Sequence, residues 1–172
     1  MSNLPWMNWA EGEIGQKEVP GRGSNPRIME YRKIAQIPLD GDDSDVPWCK
    51  IFVNAAMHTA GLPIQNNAMA LSIKNDPDFV ELDGPAYGCI VAYWRGSPGS
   101  GTGHIGFYCG ETPEGRILTL GGNEGDMVKK AFFPKNSRSF GLVGFYWPAS
   151  IPDPEGGAVE VDDDGEPTGS AA

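Results

Sequence analysis

Cys49, Cys89 and Cys109, with His58 and His104, are the residues of this chain best suited to nucleophilic and acid–base chemistry, and their surroundings separate them. A thiol becomes a nucleophile near neutral pH when its pKa falls, and the unpaired amide N–H groups and dipole at a helix N-terminus lower it. Cys49 follows Pro47 and leads into KIFVNAAMHTAG, a run that reads as a buried helix stopped by Gly61. With Asp45 or Ser44 as its expected cap, that helix carries Cys49 in its first turn. The alternative for Cys49 is a buried thiol used only as packing. Cys89 opens a predicted strand and Cys109 ends one, where a small buried residue is expected. A bridge between those two has no support in the sequence.

A nucleophilic thiol needs a base to take its proton and return it to a leaving group. His58 lies nine residues beyond Cys49 on the same predicted helix, half a revolution round and roughly 13 Å along it. It is expected on the solvent side, out of reach. His104 follows the flexible run SPGSGTG and begins the apolar stretch IGFYC, so its ring is expected at a sheet rim. Alternation puts His104, Gly106 and Tyr108 on one face and Ile105, Phe107 and Cys109 on the other. Gly106 would then leave room for a packed helix. The imidazole also needs a partner to fix its tautomer. Asn123, in the turn LGGNEGD, is the first candidate, with Glu124 and Asp126 as alternatives.

The elements that must bring these residues together change in character along the chain. Trp6, Ala10 and Ile14 recur every four positions and predict a helix from Trp6 to Val19. A second helix is expected from Pro26, with Ile28, Tyr31, Ile34 and Ala35 on one face, until Pro38. The loop 40–45 (DGDDSD) precedes the Cys49 helix, and a weaker helix covers Ala68 to Lys74. Beyond it come short aromatic and β-branched runs at 88–94, 103–110, 116–122 and 142–147, which read as an antiparallel sheet. Helices first and strands afterwards is the α+β order, with the nucleophile-bearing helix laid across a small sheet.

The composition narrows the function classes. A length of 172 residues suits one compact domain, expected at 1–150. Residues 151–172 are acidic and poor in large apolar groups, which predicts a disordered tail. A net charge of −10 disfavours nucleic acid and anionic membranes as partners. The first residues lack a basic start and apolar stretch, and no run approaches a membrane span, so synthesis in a cytoplasm without a signal peptide is expected.

The runs PWCKIFVNAAMHTAG, GCIVAYWRG, GHIGFYCGE, ILTLGGNEGDMV and GFYWP together resemble the CHAP and NlpC/P60 group of papain-like amidases and endopeptidases, especially a short branch common in phages and prophages. The resemblance covers about residues 5 to 148. It implies a papain-like fold and hydrolysis of an amide in bacterial peptidoglycan, at the sugar–peptide amide or within the peptide, as in an endolysin or a virion-associated lysin. Carried over singly, it implies Cys49 as nucleophile, His104 as base and Asn123 as the orienting residue, with the Cys49 N–H in the oxyanion hole. Many CHAP members carry a Glu two positions before this Asn, where this chain has Gly121. Some bind calcium through acids ahead of the nucleophile, matched by Asp40 and Asp42. The further acid after the Cys is replaced by Lys50 and Ile51, so a solvated loop and no cofactor are expected. The chain would reach the wall in a virion or through a phage tail, holin or injection apparatus. The rival readings are a catalytically silent wall-binding or virion structural protein, and a cysteine protease acting on protein.

Overall fold

In the computed structural model, which describes residues 2–169, helices α1 (Pro5–Gly12), α2 (Pro26–Ile34) and α3 (Cys49–Thr59) are followed by a short 3₁₀ helix (Ala70–Asn75) and six strands. The strands are β1 (Phe79–Leu82), β2 (Ile90–Arg95), β3 (Gly103–Glu111), β4 (Ile117–Gly121), β5 (Lys129–Phe133) and β6 (Phe140–Pro148). They form one antiparallel sheet in the order β1-β6-β2-β3-β4-β5, so the chain is α+β. No helix among the described residues is long and apolar enough to cross a membrane.

α3 is the central helix, with every side chain from Cys49 to Met57 buried, the polar Lys50 and Asn54 both donating to the Gln65 carbonyl. It packs on α1, α2, β3 and β4. Gly61, at φ 75°, ends it in a left-handed turn that costs glycine little. Trp9, Tyr31, Trp48 and Phe52 interlock the three helices through ring contacts of 5.4 to 6.1 Å. The sheet curls, for Phe133 of β5 meets Tyr93 of β2 at 5.2 Å and Phe140 of β6 at 5.1 Å. Leu142 N–H donates to Lys135 C=O (2.8 Å), which ties the two strands together near their connection.

Several expectations need correction. The first helix stops at Gly12, because the N–H groups of Gly15 and Glu18 donate to the carbonyls of Val128 and Asp126 and draw the chain into extended pairing. Ile14 is consequently exposed. The second helix ends at Ile34, and the weaker one is a 3₁₀ turn shifted to Ala70–Asn75. Strands β1 and β5 lie outside the runs read as strands from the sequence; they are the two edges of the sheet, four and five residues long, and neither shows a clean alternation of buried and exposed residues. Gly106 leaves room not for a helix but for β4, since a Cβ there would meet Thr119 and the Leu120 carbonyl.

The acidic tail is also ordered where described. Val161 is buried, its N–H donates to Glu111 C=O (3.0 Å), and Glu111 N–H donates to Val159 C=O (2.8 Å). The segment thus docks as a short parallel bridge at the end of β3. Val159 and Val161 supply the apolar anchor that a count of acids conceals. Residues 170–172 of the expected tail lie outside the described residues.

Candidate active site

Trp48 is the cap residue of α3, and no side chain closes the first turn. Ser44 is exposed, and the Asp45 carboxylate accepts instead from Asp42 N–H (2.9 Å), so neither is the expected cap. The first amides of α3 therefore remain free of helix partners. The Lys50 N–H turns to the Cys49 thiol, and so does the Ile105 N–H of β3. Ile105 can spare that donor because β3 and β4 pair only from Phe107 opposite Leu120 onward. Below that point the strands diverge, and the start of α3 fills the gap. A Cβ at Gly122 would lie 2.7 Å from Phe52 Cβ and from the Trp48 ring, so only glycine admits the helix this closely.

His104 stands on β3 beside this opening. Its Nε2 is hydrogen-bonded to Glu124 Oε1, and the ring is also hydrogen-bonded to the Cys49 thiol, which leaves Nδ1 for the sulfur. The rings of Tyr93 and Phe133 flank the imidazole at 6.4 and 5.2 Å. The three groups are nearly closed to solvent, with Cys49, His104 and Glu124 at 7, 2 and 5% exposure.

Burial pushes the imidazole of His104 down, but hydrogen bonds to Cys49 and Glu124 and their negative charge outweigh it and lift its pKa to about 9. Burial pushes the Cys49 thiol up, and the hydrogen bond and charge of His104, with the Lys50 and Ile105 amides, bring it below its ordinary value. Both shifts favour a thiolate–imidazolium pair. Cys89 and Cys109 are free thiols with no such partner, and burial leaves each pushed up to about 12.

The structure thus brings Cys49 and His104 together and corrects the third position, for the ring is held by Glu124 and not by Asn123. Asn123 (φ 58°), Gly125 (φ 58°) and Asp126 (φ 65°) are left-handed and make a tight turn, in which Asn123 is half-buried and serves the backbone path. Asp126 is exposed. A Cβ at residue 121 would lie 2.8 Å from Glu124 Oε1, so Gly121 clears the space this carboxylate enters. The pair of Gly121 and Glu124 was the available signal: one position gives up a side chain and a longer acid reaches back toward it. His58 is half-buried rather than solvent-exposed, with Nε2 2.8 Å from the Asn66 amide, on the far end of α3.

In the acidic loop Asp40 is exposed, while Asp42 accepts from Gly23 N–H (3.3 Å) and the Ser24 hydroxyl (3.2 Å). Asp43 is fully buried and accepts from Asn25 N–H (2.7 Å), and Arg32 donates to the carbonyls of Leu39, Gly41 and Asp42. These bonds fasten the loop to α2. Among the described residues no group of three or more acids, His or Cys is arranged to hold a metal.

Comparison with known protein families, with curated proteins and with solved structures gives no match to this chain.

Proposed function

We propose that this chain is a papain-like cysteine hydrolase of the CHAP and NlpC/P60 kind that cleaves an amide bond in bacterial peptidoglycan. The observation that carries the reading is the line of Cys49, His104 and Glu124 at an uncapped helix start, with both pKa directions favouring the ion pair. A buried thiol serving as packing needs neither an imidazole nor a carboxylate behind it. The order of motifs along residues 5 to 148 supplies the substrate class.

In this reading the Cys49 thiolate attacks the amide carbonyl carbon, and the Cys49 N–H stabilises the developing oxyanion. The imidazolium gives its Nδ1 proton to the leaving amine as the C–N bond breaks, leaving a thioester on Cys49. The neutral imidazole then takes a proton from water as the water oxygen attacks the thioester carbon, and the C–S bond breaks to release the acid and restore the thiolate–imidazolium pair. Glu124 holds the Nε2–H throughout and offsets the imidazolium charge.

Purified sacculi and casein, each incubated with the chain and with chain pre-treated with iodoacetamide, test this directly. Release of wall fragments by the untreated chain alone is expected, and their masses identify the bond as sugar–peptide amide or stem-peptide amide. Casein cleavage with intact sacculi would replace peptidoglycan by protein as the substrate. Neither activity would leave the silent structural reading in its place.

A further inference from the structure

The nucleophile and the acid behind its base come from remote elements, and besides His104 a second path of hydrogen bonds joins them. Trp48, whose backbone leads into Cys49, buries its side chain to 1% exposure, and a buried indole N–H needs an acceptor. Glu18 supplies it: Trp48 Nε1 donates to Glu18 Oε1 at 2.8 Å. The backbone of the same residue reaches the other side, where Glu18 N–H donates at 2.9 Å to the carbonyl of Asp126, two residues beyond Glu124 in the turn between β4 and β5. The segment around Glu18 is paired with that turn through Gly15 N–H to Val128 C=O (2.9 Å), Val128 N–H to Gln16 C=O (2.8 Å) and an antiparallel bridge of Lys17 with Met127. Asn25, which caps α2, donates from Nδ2 to Lys17 C=O at 3.0 Å and anchors the segment from behind.

Cys49, His104 and Glu124 thus form one arc of a closed ring, and the other arc runs from Glu124 through Asp126 and Glu18 to Trp48. The close packing of Trp48 on Gly122 limits how far α3 can approach the turn, but dispersion contact resists separation only weakly. The two bonds of Glu18 resist it directly. Charge does not explain an acid at this position, since burial first, then the facing Asp126 and Asp43, lift its carboxyl above the ordinary value.

We infer that Glu18 is a positioning residue that ties the start of α3 to the turn carrying Glu124 and so fixes the spacing of Cys49 from His104. The inference rests on the Cys49 and His104 site but not on peptidoglycan being the substrate. The test therefore reads iodoacetamide alkylation of Cys49 against pH in the full chain, by peptide mass spectrometry. In Glu18→Ala the indole loses its acceptor and the thiol its fixed distance from the imidazole, so the midpoint should rise by about one pH unit and labelling at pH 7 should slow by up to about tenfold. Glu18→Gln keeps an acceptor oxygen and should restore the wild-type midpoint. A pure charge effect has the opposite sign, because removing a carboxylate favours the thiolate, and it would be shared by both variants. Trp48→Phe removes the donor instead and should raise the midpoint similarly, with the double variant rising no further than the larger single shift. Val161→Ala, at the far end of β3, should lower the melting temperature and leave the midpoint in place. A Glu18→Ala midpoint equal to wild type, a shift shared by Glu18→Gln or Val161→Ala, or additive shifts in the double variant overturns the inference. A wild-type Cys49 that titrates as an ordinary thiol removes the active-site reading together with it, so the two failures are told apart.

Discussion

The two ends of strand β3 bury thiols equally and treat them oppositely. Near the His104 end, Cys49 meets an imidazole and two backbone N–H donors, and its pKa falls. At the other end, Cys89 and Cys109 lie in the core without an imidazole partner; burial outweighs the pull of Lys130 on Cys109, and both rise to about 12. Burial pushes all three up, so burial does not distinguish them. What differs is the strand pairing: the divergence of β3 from β4 frees the Ile105 N–H and admits the start of α3. At the far end the strands stay paired on either side of an irregularity at Cys109, and the tail docks at the end of β3.

The largest effect that can break this contrast is Cys49→Ala. It should reduce wall hydrolysis by about 10⁴-fold or more while the melting temperature stays within about 5 °C, because the thiol acts by chemistry and its loss removes little packing. Cys89→Ala and Cys109→Ala should keep activity while losing stability. Activity that survives in Cys49→Ala would move the nucleophile to the other end of β3.

Next in size is the support of the imidazole. Glu124→Ala should lower kcat by about 10²- to 10⁴-fold, with KM little changed, as loss of an orienting carboxylate does elsewhere. Glu124→Gln keeps an acceptor but not the charge, so part of the rate should return with the basic limb of the pH profile moved to lower pH. Asn123→Gly suits the left-handed backbone and should retain activity within about threefold without lowering the melting temperature. The reverse ranking of Asn123 and Glu124 in steady-state assays would restore Asn123 as the orienting residue.

The pH response should carry the same signature. Iodoacetamide at pH 7 should label Cys49 first, since a thiol with pKa near 12 is only about one part in 10⁵ thiolate there. Peptide mapping that finds Cys89 or Cys109 labelled first would contradict it. Hydrolysis should fall as pH climbs through about 9, where His104 loses its proton. For stability the two partners have opposite signs. The raised His104 contributes fully below its unfolded value, and that contribution is lost as pH rises through about 9. The lowered Cys49 contributes fully above its unfolded value of 9.0, and that contribution is lost as pH falls through its folded pKa. Melting temperatures of wild type and Cys49→Ala across pH 5 to 10 should therefore converge at the acid end.

The smallest effects lie at the docked tail. Val161→Asp puts a charge at a buried site and should cost about 3 kcal/mol in urea unfolding. Asp163→Ala removes an exposed ion pair with Arg116 and should change nothing measurable. Equal effects would mean that the tail is held by its acids and not by Val159 and Val161.

The sequence alone determined the features that depend on local pattern. The largely apolar run after Cys49 makes a central helix that Gly61 ends, Pro26 starts the helix before it, and short aromatic and β-branched runs make β2, β3, β4 and β6. Helix spacing alone removed His58 from reach of the thiol. The tertiary structure decided what depends on distance between remote segments. Short edge strands carry no alternation strong enough to read, so β1 and β5 emerged only with their partners. The tail's two valines became anchors only against the end of β3. Asn123 and Glu124 are neighbours in a left-handed turn, and one residue of rotation there decides which side chain meets His104. A turn's path is set by the strands it joins and the helix it must clear, and no local propensity encodes that choice.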